Sequence, residues 1–371
     1  MNDRIPAEAF SPGVYLKDEM DAREWTQEEF AAIIGRPPAL INQIISGKRG
    51  ITPETAREIG AALGTSAMYW MNLDAYYRLW RAGPAPSRIG DIAAIRAEYH
   101  VREMLKRGWL KGSEDAEVLK QQVLGFFGIG KVGEVPRLMI AAKKSGYPDE
   151  ITGTQRAWLF RVKQIAGGMA VKAYSERALR EALPKLRALL ASAEEIRRVP
   201  KILAECGVRF VIVEHVPSSK IDGVCFWLDG SPVIGMSLRL DRIDNFWFVL
   251  RHEIEHVLNR DGKDEAIVDC DIANVDPTAI SRAEQITDAA AADFCIPTSE
   301  MLGFISRYRP IYSEQKVLGF AERMNVHPGL VVGQLQRRTG NYKLFRRHLV
   351  NVRPLVASVA MTDGYGQVIS L

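Results

Sequence analysis

His252, Glu253 and His256 stand in the run Phe248-Val249-Leu250-Arg251-His252-Glu253-Ile254-Glu255-His256-Val257-Leu258, whose apolar spacing predicts a helix. Residues four apart on a helix are offset by about 40° and rise about 6 Å, so both imidazoles face one side and can share one cation. Glu253 points in a neighbouring direction, placed to activate water rather than to bind the metal, which is the division of labour that metal-assisted peptide hydrolysis requires. Downstream, Ser281 to Ala290 reads as a second helix with Glu284 and Asp288 one turn apart. Such a pair supplies one carboxylate ligand and a second acid that orients a ligating histidine. Three protein ligands, the two histidines and one of these two acids, with an open fourth position mark a catalytic rather than a structural Zn2+.

A second constellation lies near the N-terminus, from Glu24 to Ile51. Thr26 followed by Glu29 three residues later is a capping box, Phe30, Ala31 and Ile34 form a buried face, Gly35 ends that helix, and Pro37 or Pro38 starts the next. Ile41, Ile44 and Ile45 back the second helix. Pro38, the exposed side of Leu40, Asn42 and Gln43 are left for a DNA groove, Gln27 suits a phosphate, and Lys48 with Arg49 form a local basic patch. This is the grammar of a helix-turn-helix reading double-stranded operator DNA, the plainer alternative on pattern alone being a helical hairpin used for protein contacts. The segment from Met1 to Trp80 carries eight Lys or Arg against eleven Asp or Glu, so any DNA affinity rests on that patch rather than on overall charge.

The elements that must hold these groups follow from texture. The 371 residues, 47% apolar and 25% charged, exclude a disordered or fibrous chain and suggest two or three domains. No apolar run approaches the roughly 20 residues of a membrane span, and Met1 to Pro12 lacks a secretory core, so no membrane partner is expected. Four scattered cysteines without a CxxC pair exclude a disulfide framework and predict a cytoplasmic protein. Val14 to Trp80 reads as short helices. Gly83, Pro84, Pro86 and Ser87 form a breaker cluster, and Ile89 to about Ala193 reads mostly as helix, with Glu176 to Ala193 strongly amphipathic. Strands are predicted at Val208 to Glu214, Gly223 to Leu228 and Pro232 to Ser237, the last two joined by the hairpin signal Asp229-Gly230. Helices return at about Asp244 to Asn259, Ser281 to Phe294 and Glu314 to Met324, and the tail beyond Asn341 reads partly as strand. The fold class is α+β. The expected divisions are 1–82, a helix-turn-helix domain; 83–198, a helical middle region; 199–340, a zincin-like metallopeptidase domain; and 341–371, a tail.

Two resemblances sharpen this reading. Ile202 to Pro297 resembles the ImmA/IrrE family of bacterial metallopeptidases, in the segments LAECGVRFVIVEHVPSSKIDGVCFWLDGSPVIGMSL, RIDNFWFVLRHEIEHVLN and EQITDAAAADFCIP, and further on in NVHPGLVVGQLQRR. It implies zinc held by His252, His256 and Glu284, and assigns His327 to polarising the scissile carbonyl, against the plainer alternative of a helix-start contact. The sequence departs from that family's pattern at Glu255, where a small uncharged residue is usual, and at Thr287-Asp288, where Ala-Asn is usual. Glu255 is expected either to lie solvated on the helix flank or to repel substrate carboxylates.

The segment ISGKRGITPETAREIGAALGTSAMYWMNLDAYYRLW is similar to the XRE family, in its HigA antitoxin branch, which implies a homodimer on a palindromic operator. The leading expectation is a transcriptional regulator joined to a zinc metallo-endopeptidase that cuts a partner regulator, such as a helix-turn-helix repressor, or itself. The alternative is an antitoxin-like repressor that binds DNA and a toxin and carries a non-catalytic zinc site. A nuclease fits less well, because phosphodiester cleavage usually employs carboxylate-rich two-metal sites.

Overall fold

A computed structural model describes residues 8–83, 87–134, 143–144, 151–263, 266–271, 281–367 and 369. The chain forms two compact units, Met1–Ile89 and Gly90–Leu371. Of the breaker cluster, residues 84–86 lie outside the described residues.

The first unit is helical: α1 (Pro12–Asp21), α2 (Gln27–Ile33), α3 (Pro38–Ile45), α4 (Pro53–Leu63) and α5 (Ala67–Ala82). Its punctuation is written in side chains that satisfy otherwise orphaned helix amides. The capping box forms: the Thr26 hydroxyl accepts from the Glu29 amide at 3.2 Å, and Glu29 accepts from the Thr26 amide at 2.8 Å. Thr52 and Ser66 cap α4 and α5 in the same manner. Leu16, Phe30, Ile41, Ile44, Ile59 and Trp70 fill the core with at most 1% exposure, each contributing about 1.5–3 kcal/mol on burial. Ile34 is only half-buried at its edge.

The second unit is built on a mixed sheet in the order β1-β5-β3-β4-β2-β6. Its strands are β1 (Lys143–Lys144), β2 (Arg209–Val213), β3 (Ile221–Leu228), β4 (Ser231–Met236), β5 (Ile267–Cys270) and β6 (Met361–Asp363). Helices α6 (Ser87–Glu98), α7 (Val101–Lys106), α8 (Ala116–Phe127) and α9 (Gly153–Gly167) precede β2, with α10 (Glu176–Ala188) and α11 (Val199–Glu205). After β4 come α12 (Ile243–Asn259), α13 (Arg282–Cys295), α14 (Thr298–Tyr308), α15 (Glu314–Met324), α16 (Pro328–Thr339) and α17 (Arg353–Val356). The α+β class therefore holds. The Asp229-Gly230 hairpin also forms, with both residues at positive φ joining antiparallel β3 and β4.

Alternation along the strands shows how the site helix is held. Phe210, Ile212, Cys225, Ile234 and Met236 face one core, shared with α12; Val211, Val213, Val224, Phe226 and Val233 face the other, shared with Trp158, Phe160 and Val162 of α9. Covering both faces explains why β3 and β4 read as nearly unbroken apolar runs. The middle helices thus form the second cover of the sheet that carries the site, and the C-terminal β6 pairs in parallel with β2. The tail is fastened by a buried ion pair between Arg161 of α9 and Asp363 of β6, to which Trp109 Nε1 also donates at 3.0 Å.

All four cysteines are free and buried. Among the described residues no helix is long and apolar enough to cross a membrane.

Candidate metal centre

Helix α12 is buried almost all round, which fixes its rotation: Phe246, Trp247, Val249, Leu250, Ile254 and Val257 pack into the core. That orientation turns His252, Glu253 and His256 inward, with exposures of 2%, 0% and 2%. The Nε2 atoms of the two histidines approach to 3.1 Å. Each ring is oriented from behind, His252 Nδ1 lying 3.0 Å from Asp288 Oδ1 and His256 Nδ1 lying 3.0 Å from Asp261 Oδ2. An ionised carboxylate can only accept, so both Nδ1 atoms are donors and neutral rings turn bare Nε2 lone pairs toward one point. Lone pairs that close repel unless a cation lies between them.

Two carboxylates complete the cluster. Glu284, in the first turn of α13, places Oε2 3.5 Å from His252 Nε2 and 3.7 Å from His256 Nε2. Its helix is capped by Ser281, whose hydroxyl accepts from the Glu284 amide at 3.2 Å, and the helix N-terminus favours the negative charge. Asp269, fully buried on β5, places Oδ2 at 3.5 Å and 3.7 Å from the same two nitrogens. The four ligand atoms lie within 4.8 Å of one another. Nitrogen and oxygen donors at these spacings fit a first-row divalent cation.

The electrostatics also ask for positive charge. Burial alone would lower the pKa of His252, yet Asp269, Asp288 and Glu284 outweigh it and push it well above the ordinary histidine range. Burial, then the neighbouring Asp269 charge, drives the Glu253 carboxyl far upward. Neither oxygen of Glu253 accepts a hydrogen bond from a described residue.

The structure brings His252, His256, Glu284, Asp288 and Glu253 together. It also adds two residues that the sequence reading missed. Asp261 follows Arg260, a left-handed residue that ends α12, so the chain doubles back and the carboxylate reaches His256 five residues earlier. An acid just beyond the helix end was the available signal. Asp269 sits inside the apolar run Ile267–Cys270, and an acid in a buried strand was its signal.

His327 is not among the four clustered side chains. It caps α16, its Nδ1 accepting from the Gly329 amide at 3.1 Å, and burial followed by the charge of nearby His348 lowers its pKa. Glu255 is neutralised by Arg251 one turn away at 2.6 Å. Arg337 spans the Phe248 ring and Asp288, at 4.8 Å from the ring centroid and 3.5 Å from Oδ2. Beside them a cavity of about 650 Å³ opens between α12, α13 and α16, lined by Asp244, Phe248, Asp288, Arg337, Arg338 and Tyr342 among others.

In the first unit, Pro38, Asn42, Gln43, Lys48 and Arg49 are exposed. Gln27, half-buried at the start of α2, accepts from Asn42 Nδ2 at 3.4 Å and so ties the two helices on that face. Leu40 is half-buried and packs on the isoleucine core, leaving little of it for a groove.

Residues 16–70 match a helix-turn-helix family model, and residues 207–335 match the IrrE N-terminal-like domain, a peptidase family. An uncharacterized HTH-type transcriptional regulator of Escherichia coli, YddM, is 28% identical over 85 residues, which are 23% of this chain and 86% of that protein. Among solved structures, antitoxin HigA of Pseudomonas aeruginosa with the higBA promoter is 30% identical, covering 20% of this chain and 83% of that one at a TM-score of 0.20. A second Pseudomonas aeruginosa protein, solved in complex with its operator DNA, is 29% identical over 21% of this chain and 84% of its own, also at 0.20. The chain joins a helix-turn-helix domain of the XRE type to a metallopeptidase-family domain of the ImmA/IrrE kind.

Proposed function

We propose that this chain is a DNA-binding regulator whose second unit is a zinc endopeptidase, with His252, His256 and Glu284 holding the metal and Glu253 acting as general base. The observation that carries the reading is the pair of imidazole Nε2 atoms 3.1 Å apart, backed by carboxylates and flanked by the buried Glu253. Zinc at this point supplies Lewis acidity toward a peptide carbonyl and toward water. Glu253 takes a proton from water at its carboxylate and passes it to the departing amine. Asp288 and Asp261 hold the two rings in the tautomer that presents Nε2. Arg337 balances the charge of Asp288.

In the first unit, α3 is the element we assign to the major groove, with Asn42 and Gln43 at base edges and Gln27, Lys48 and Arg49 at phosphates. A partner regulator, or the chain itself, is the proposed protein substrate, and a homodimer is the proposed form on DNA.

A second reading, an antitoxin-like repressor with a non-catalytic zinc, is favoured by one observation: Asp269 gives the cluster four protein donors rather than three. The discriminating experiment compares wild-type chain with Glu253→Gln, both metal-loaded, in cell extract, with labelling of newly formed peptide N-termini. New termini that require Glu253 support the peptidase. Their absence, together with a stoichiometric protein complex insensitive to chelator, supports the second reading.

A further inference from the structure

Asp269 enters the metal cluster by strand register. It lies opposite Gly223 in the antiparallel pairing of β5 with β3, and cross-strand partners point to the same face of a sheet. That face is the one covered by α12. The side chain is wholly buried, and its Oδ2 mirrors Glu284 Oε2: each oxygen lies 3.5 Å from His252 Nε2 and 3.7 Å from His256 Nε2. Ligands about 2.0–2.1 Å from a tetrahedral zinc are roughly 3.3–3.4 Å apart, a value that these four distances and the 3.1 Å histidine edge bracket, and all four atoms lie within 4.8 Å of one another.

We propose that Asp269 is a fourth protein ligand, which closes the metal site in this conformation and must withdraw before a substrate carbonyl can enter. The proposal rests on the metal reading above and extends it. Two carboxylates and two imidazoles saturate a tetrahedral ion, which is the pattern of a closed site, whereas hydrolysis needs an open position. The burial of Glu253 agrees, because a base that is 0% exposed has no bulk water to act on while the site is shut.

The test uses the full chain loaded with cobalt(II) or zinc, with Asp269→Asn and Asp269→Ala compared with wild type after circular dichroism has shown each to be folded. Three quantities are read: the visible spectrum of the cobalt form, zinc retention against a chelator, and the concentration of acetohydroxamate that changes the cobalt spectrum. The cobalt spectrum of both variants is expected to shift, and zinc is expected to be lost more readily than by the roughly 10–100-fold typical of outer-shell changes. Acetohydroxamate is expected to act at about tenfold lower concentration on the variants than on wild type, because the fourth position is open. If spectrum, retention and acetohydroxamate response are unchanged in both variants while wild type binds metal, Asp269 is no ligand and the proposal fails alone. A folded wild-type chain that takes up neither metal overturns the metal reading and the proposal together.

Discussion

The carboxylate of Glu253 occupies the space that a side chain at Gly223 would need. A Cβ built on Gly223 would fall well inside van der Waals distance of Glu253 Oε1, in a niche walled by the Glu253 side chain itself. Gly223 lies directly across the strand pair from Asp269, so its missing side chain makes the niche in which the proposed base sits beside the metal cluster.

Gly223→Ala is therefore expected to displace Glu253 and to destabilise the chain by about 1–3 kcal/mol, the usual cost of overpacking a core. Combined with Glu253→Ala, most of that penalty should vanish, a coupling within the roughly 0.5–3 kcal/mol range of touching residues. Urea unfolding of the two single variants and the double checks it. Strict additivity would separate Gly223 from the niche.

Metal stoichiometry should be about one zinc per chain, and His252→Ala or His256→Ala should abolish it. Glu284→Ala should weaken binding sharply. Asp288→Ala and Asp261→Ala, which remove only the partner of each Nδ1, should each lower affinity by about 10–100-fold. Metal analysis with chelator titration measures all five. Loss of metal from Asp288→Ala with full retention in Glu284→Ala would exchange their roles.

The buried Arg161–Asp363 pair ties the C-terminal strand to α9, with side chains 7% and 5% exposed. Removing one partner strands the other charge, so Arg161→Ala should cost about 3–5 kcal/mol. Replacing both with apolar residues of similar volume should restore much of it. Thermal unfolding of the wild type and these two variants is the measurement, and a cost for Arg161→Ala no larger than that of an exposed substitution would refute the role.

On DNA, replacing Lys48 and Arg49 together should weaken all sequences alike and reduce the slope of log affinity against log salt by about 0.9 for each phosphate that the variant no longer neutralises. Asn42→Ala and Gln43→Ala should instead relax sequence preference, by about 1–3 kcal/mol for each bidentate base pairing. Selection from a random DNA pool with the full chain, followed by titration at several salt concentrations, separates the two. A two-fold related site with half-sites about one turn apart is expected of a dimer, and failure to enrich any sequence would reassign α3 to protein contacts.

Local rules were enough for the local features of this chain. The i, i+4 spacing of His252 and His256 placed both rings on one face because helix geometry is fixed, and Thr26 with Glu29 marked a helix start because capping is satisfied within four residues. Asp229-Gly230 announced its hairpin for the same reason. Asp269 and Gly223 are a different matter. Their approach to Glu253 depends on which strands pair, in which register, and on which face α12 packs, and those are set by residues far apart in sequence. His327 offered the right residue type but is engaged as a helix cap. Nor did the helical pattern of the middle region disclose that α9 covers the far face of the sheet: an amphipathic helix declares that it has a buried face, but what covers that face is chosen only when the chain packs.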